Sequence, residues 1–166
     1  SEIQHNPDST ADFRGEYFEI YNAHSDEVDI NGLVVDSSGD AGFTVNQSIT
    51  VPAGEYVVLA ARLNSGTNGG NTEVDFQYNY SLLKFSNNDS ITISDGSTTF
   101  DSVTYSSSTF PVEAGAALIL DTDTLDSSSN DSSQNWCTSG NVYGTGDYGT
   151  PGAANDGCST VADLSV

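Results

Sequence analysis

The side chains best suited to chemistry in this chain are carboxylates, and their densest run lies between residues 121 and 131. Asp121, Asp123 and Asp126, then Asn130 and Asp131, fall in one irregular polar segment between an apolar stretch and Trp136. Calcium is held by carboxylate and carbonyl oxygens converging from a flexible loop. These five residues are therefore the candidate Ca²⁺ ligands, and Ca²⁺ is the one cofactor suggested. The segment lacks the internal Gly and terminal Glu of an EF-hand loop. The competing reading is a solvated acidic loop whose Asx turns cap its own backbone.

Glu16 and Glu19 are three apart, so on a strand they face opposite sides and cannot form a facing acid–base pair. One of them must share the Phe18/Ile20 face or sit at its margin, and an inward carboxylate needs hydrogen bonds or a cation. Backbone N–H groups at a strand end are the favoured partners, with a ligand or ion as the alternative. The histidines are His5 and His24. No GxSxG elbow and no HExxH pair accompanies them, so both are expected to be loop residues on an acidic surface. The aromatics Phe76, Tyr78 and Tyr80, with Tyr143 and Tyr148, could stack on sugar rings if exposed. Packing in the core or at an edge is the favoured reading.

The cysteines are Cys137 and Cys158. Without CxxC spacing or a nearby His, they read as a disulfide rather than a metal or redox pair. Such a bridge suits an oxidising compartment and closes a loop worth about 3 kcal/mol of chain entropy. The charge balance is extreme. Asp and Glu number 24 against Arg14, Arg62 and Lys84, for a formal net charge of -21. Such a surface repels polyanions, so direct nucleic-acid binding and attachment to an anionic membrane are not expected. No stretch is apolar and long enough to span a bilayer. The acidity fits solubility in salty water, or Ca²⁺ binding.

These residues must be positioned by strands. Glu16 to Tyr21 alternates with Phe18 and Ile20 on one face, and Ser90 to Ser94 alternates cleanly. Tyr56 to Ala60 reads as a strand buried on both faces. Asn31-Gly32 and Asp95-Gly96 are hairpin candidates of type I′. Asn64 to Thr72, rich in Gly and Asn, reads as a mobile loop. Ala117 to Leu120 is the last clear strand, and the polar remainder has Trp136 as its one large anchor. About nine short strands, with little or no helix, predict an all-β, immunoglobulin-like two-sheet β-sandwich. Residues 1–157 are expected to form this domain, and 158–166 a tail or the start of a linker. The abrupt start at Ser1-Glu2-Ile3 reads as a piece of a longer precursor.

Several segments, in order, are similar to the lamin tail domain in its bacterial extracellular version. They are Glu2-Ile3 with Asn6-Pro7, Gly15 to Asn22, Asp29 to Leu33, Pro52 to Ala60, Leu82 to Ile91, and Asp101 to Tyr105. Asn135-Trp136-Cys137 and Gly149 to Asn155 complete the set. Tyr17 and Val34 stand where that family often has Trp. The resemblance implies an immunoglobulin-like sandwich and a non-catalytic module appended to secreted hydrolases or surface proteins. The expected function is therefore an accessory adhesion, targeting or spacer module of a secreted or cell-surface bacterial protein, monomeric, with an unidentified protein or glycan partner. A glycan-binding module and a metal-dependent hydrolase are the alternatives.

Overall fold

The computed structural model describes residues 1–158. The strands are β1 (Glu2–Gln4), β2 (Tyr17–Tyr21), β3 (Val28–Asp29), β4 (Val34–Ser37), β5 (Phe43–Thr44), β6 (Thr50–Val51) and β7 (Tyr56–Ala60). They continue as β8 (Val74–Gln77), β9 (Asn88–Ser94), β10 (Thr99–Ser106), β11 (Leu118–Leu120), β12 (Trp136–Thr138), β13 (Val142–Tyr143) and β14 (Asp147–Tyr148). Helix is confined to one turn, α1 (Asp12–Gly15), and three 3₁₀ turns after β11.

Two sheets face each other. The larger has the order β12-β11-β1-β2-β7-β8, and the smaller β10-β9-β4-β5. All pairings in them are antiparallel except β7 with β8. The alternation of β2 decides which face is inside. Phe18 packs in the inter-sheet core with Leu59 and Leu118 of its own sheet and with Val35, Ile91 and Val103 of the other. Tyr17 and Glu19 point to the opposite face of the sheet, yet they are also buried. The chain after β12 folds back over that face, where Tyr143 meets Tyr17 edge-on at 5.7 Å. This cover explains why Val57, Val58, Leu59 and Ala60 are all buried, as their uninterrupted apolar run predicts.

The turns depart from expectation in an instructive way. Asp95-Gly96 does connect the paired strands β9 and β10, but through a four-residue loop. Asp95 Oδ1 accepts from Ser97 N–H and Thr98 N–H there. Asn31-Gly32 makes a turn but not a hairpin. β3 pairs with β6, and β4 pairs with β5 and β9, so this turn passes the chain from a small ribbon into the second sheet. Positive φ occurs at Gly32 and Gly96 but at no non-Gly residue among those described, which excludes type I′ at either place.

The Asn64 to Thr72 loop is anchored. Asn68 and Asn71 are buried, and Asn68 Nδ2 donates to the Arg62 and Asn71 carbonyls. Thr145 N–H reaches the Gly69 carbonyl at 2.8 Å. Cys137 and Cys158 form the expected disulfide, with Cα atoms 5.6 Å apart. Of the proposed tail 158–166, Cys158 is bonded into the fold, and 159–166 lie outside the described residues.

Candidate functional site

The buried carboxylates come first, because they set what chemistry the sandwich can carry. Glu2 and Glu19 are cross-strand neighbours on the outer face of the large sheet. Two like charges placed so repel each other. The closing segment supplies their compensation. Glu2 accepts from the Thr150 backbone N–H at 3.0 Å, the Thr150 hydroxyl and the Tyr17 hydroxyl. Glu19 Oε2 accepts from Gly152 N–H at 2.7 Å, and its Oε1 from the Ser1 hydroxyl. Burial, and then the Glu2 charge, push the Glu19 carboxyl up to about 8. Burial likewise raises Glu2.

Glu16 projects the other way, at the margin of the Phe18/Ile20 face, and is fully buried. Its Oε2 accepts from Phe85 N–H at 3.1 Å, and its Oε1 has no partner among protein atoms. Burial drives this carboxyl up to about 9. The buried hydroxyls of Tyr78 and Tyr105 are also unpartnered, and burial, with the Glu16 charge as a lesser cause, raises both. Asp147 and Asp89, missed in the sequence, act as clamps. Asp147 Oδ1 accepts from Asp8 and Ser9 N–H, and Asp89 from Ser38, Ser86 and Ser90 N–H and the Ser37 hydroxyl.

The proposed Ca²⁺ residues are engaged locally. Asp121 Oδ1 accepts from Asp123 N–H and Oδ2 from Cys158 N–H. Asp126 Oδ1 accepts from Ser128 and Ser129 N–H, and hydrogen bonds from Ser129 and Ser128 hold its carboxyl below the usual range. Asn130 turns inward, donating to Asp101, while its carbonyl accepts from Trp136 Nε1 at 2.8 Å. Asp123 and Asp131 are exposed. Among the described residues no three His, Cys, Asp or Glu side chains converge on a metal position. His24 is exposed as expected, but His5 is not a surface residue. It is buried with Nε2 3.0 Å from Asn87 Oδ1 and its ring edge against Tyr105. The aromatics expected to pack mostly do. Tyr78 is a core residue stacked on Phe43, whose other neighbour is Phe76, while Tyr148 stays 42% exposed.

The sandwich is open at one end, where an apolar cleft of about 320 Å³ enters between the sheets. Its walls include Ile3, Phe18, Ile91, Val103, Leu120 and Trp136. A second concavity of about 820 Å³ continues from it, sharing Ile20, Tyr21, Ile93 and Phe100. Asp101 and Asn130 supply the polar floor of the first. Asn130 Nδ2 donates to Asp101 Oδ2 at 2.7 Å, and both remaining side-chain oxygens, Asp101 Oδ1 and Asn130 Oδ1, are buried without a partner among the described residues. Asp101 was legible only as part of a motif. Its alternation with Val103 and Tyr105 was the signal that it points inward. An apolar cleft with a few convergent polar groups is the ordinary form of a binding site.

The family model described as Lamin Tail Domain matches residues 1–107, which end just past β10. No curated protein and no solved structure matches the chain.

Proposed function

The chain belongs to the lamin tail domain family, and from that premise we propose that it is a non-catalytic accessory module that binds through its inter-sheet cleft. The observation that carries this reading is the engagement of the buried acids. Glu2, Glu19, Asp89 and Asp147 each accept from backbone N–H groups of distant segments and so hold the cover and loops in place. A general acid–base pair needs carboxyls free to face a substrate and to exchange protons with it. The cleft instead presents apolar walls and the Asp101–Asn130 pair, an arrangement that holds a ligand.

The setting we infer is outside the cell, on a secreted or surface-attached bacterial protein. The Cys137–Cys158 disulfide supports an oxidising compartment. No helix among the described residues is long and apolar enough to cross a membrane. Nuclease, phosphatase, esterase and glycosidase substrates offered to the purified chain are expected to turn over at background rate. Turnover that survives repurification and vanishes on a single substitution in the cleft would overturn this reading.

A further inference from the structure

We propose that the cleft is the docking groove for an extended, basic and apolar segment of a partner protein, with one Lys or Arg side chain of that segment seated on Asp101 and Asn130. This deepens the binding role above and rests on it.

Three observations converge. The first is the pair of unpartnered oxygens. Asp101 Oδ1 and Asn130 Oδ1 are both acceptors, and Asn130 is 7% exposed. A buried acceptor left unpaired is costly, and the groups that carry donors and no acceptor are the ammonium of Lys and the guanidinium of Arg. Burial raises the Asp101 carboxyl, and the Ser1 ammonium, which lines the same cleft, only partly offsets it, while neither unpartnered oxygen has a donor. The second observation is the wall. Lys and Arg place apolar stems along apolar surface and their charged tips on polar groups. Leu120, Leu125 and Trp136 surround the path to Asp101 with such a surface. Trp136 and Phe18 are buried in these walls, so neither presents the open aromatic platform that sugar rings prefer.

The third is continuity combined with charge. The groove runs on past Phe100, which is 52% exposed, into the larger concavity, so it exceeds what one free amine would fill. Asp126 lines the first part, and Asp29 and Asp95 line the second. No Lys or Arg lines either; the basic groups there are the Ser1 ammonium in the first and His24 in the second. A segment with apolar anchors flanked by basic residues complements that rim. A second copy of this chain does not, since each carries a net charge of -21.

The test uses the full chain and fluorescence anisotropy. One labelled peptide is rich in Leu and Lys. A second keeps the Lys but has Ser in place of Leu, and a third keeps the Leu but has its Lys acetylated. The first should bind at least about tenfold more tightly than either control. Asp101→Asn, which keeps shape and removes charge, should weaken it by about tenfold or more. Phe100→Ser should also weaken it, and Glu113→Gln, an exposed change outside the groove, should not. Melting curves confirm that each variant is folded. Equal binding of the first two peptides would mean only general attraction to an acidic surface and would overturn the proposal. So would indifference to Asp101→Asn, equal binding of the acetylated peptide, an oligosaccharide that binds with loss on Phe100→Ser, or self-association through this face. The turnover assay is separate, so failure here removes the partner and leaves the non-catalytic reading standing.

Discussion

Replacing Glu16 by Gln isolates the cost of a carboxyl buried with one hydrogen-bond donor. Glu16 is 0% exposed, accepts from Phe85 N–H, and has a carboxyl pushed from 4.5 up to about 9 by burial. The folded state therefore binds this proton more tightly than the unfolded chain. The contribution to stability is fully present below the unfolded value and is lost as pH rises toward 9. At about 1.4 kcal/mol per unit, the whole shift sets a ceiling of about 6 kcal/mol. Local relaxation and water entry reduce such penalties, so about 2–3 kcal/mol is the expected loss between pH 5 and 9. For a chain of this size that corresponds to roughly 4–12 °C. Glu16→Gln stays neutral throughout. Its carbonyl can still accept from Phe85. Urea titrations at intervals from pH 5 to 9 should show wild type falling, and Glu16→Gln falling less and ending more stable at pH 9. Parallel curves would refute the reasoning, because the Glu16 proton would then contribute nothing to the alkaline loss.

Free-thiol titration of denatured, unreduced protein should find no thiol, and reduction of Cys137–Cys158 should cost about 3 kcal/mol in denaturant unfolding. Gly144→Ala should destabilise by more than about 2 kcal/mol on melting. Its φ is +51°, and a Cβ there would lie 2.0 Å from the Gly69 carbonyl oxygen, whereas Gly140→Ala, with open space, should be silent. Melting in chelator, Mg²⁺ and Ca²⁺ at fixed ionic strength should coincide, because Asp121 and Asp126 already accept from backbone N–H groups, while added NaCl should raise the midpoint gradually. A rise specific to Ca²⁺ and lost in Asp126→Ala would instead place the ion in the 121–131 segment.

What the sequence disclosed was local, and what it hid was the identity of distant partners. Phe18 and Ile20 marked the inner face of β2 because period-two alternation is a property of a single strand. The disulfide was legible because no other partner competed for either Cys. The Asn31-Gly32 turn misled because turn chemistry fixes a bend and not which strand the chain meets next. Val28 found Val51, some twenty residues on. The loop from Asn64 to Thr72 looked mobile because its anchor, the Gly69 carbonyl to Thr145, spans 76 residues. The same holds at the site. The sequence sets Glu19 only against Glu16 on its own strand, while its neighbour Glu2 and its donor Gly152 come from opposite ends of the chain. Asp101 keeps phase with Val103 and Tyr105, but the register shift between Thr99 and Asp101 breaks the alternation that would extend this phase back along the strand.

The pattern of buried acids has a physical logic of its own. A chain with three Lys and Arg cannot neutralise 24 carboxylates with ion pairs. Among the described residues the pairs are His24–Asp26 at 3.7 Å and Lys84–Asp40 at 3.9 Å, and both reach solvent. The counter-charge comes instead from backbone N–H dipoles. Asp147 joins the Asp8-Ser9 turn to β14, Asp89 holds Ser38 N–H, and Glu2 and Glu19 hold the closing segment. A hydrogen bond to a partly buried carboxylate is screened far less by salt than an exposed ion pair is. Salt therefore relieves the repulsion among surface acids while leaving these internal ties intact. The rim acids Asp29, Asp95 and Asp126 are exposed and accept from backbone N–H groups of their own loops, so the negative rim of the cleft is held in place by the turns that present it.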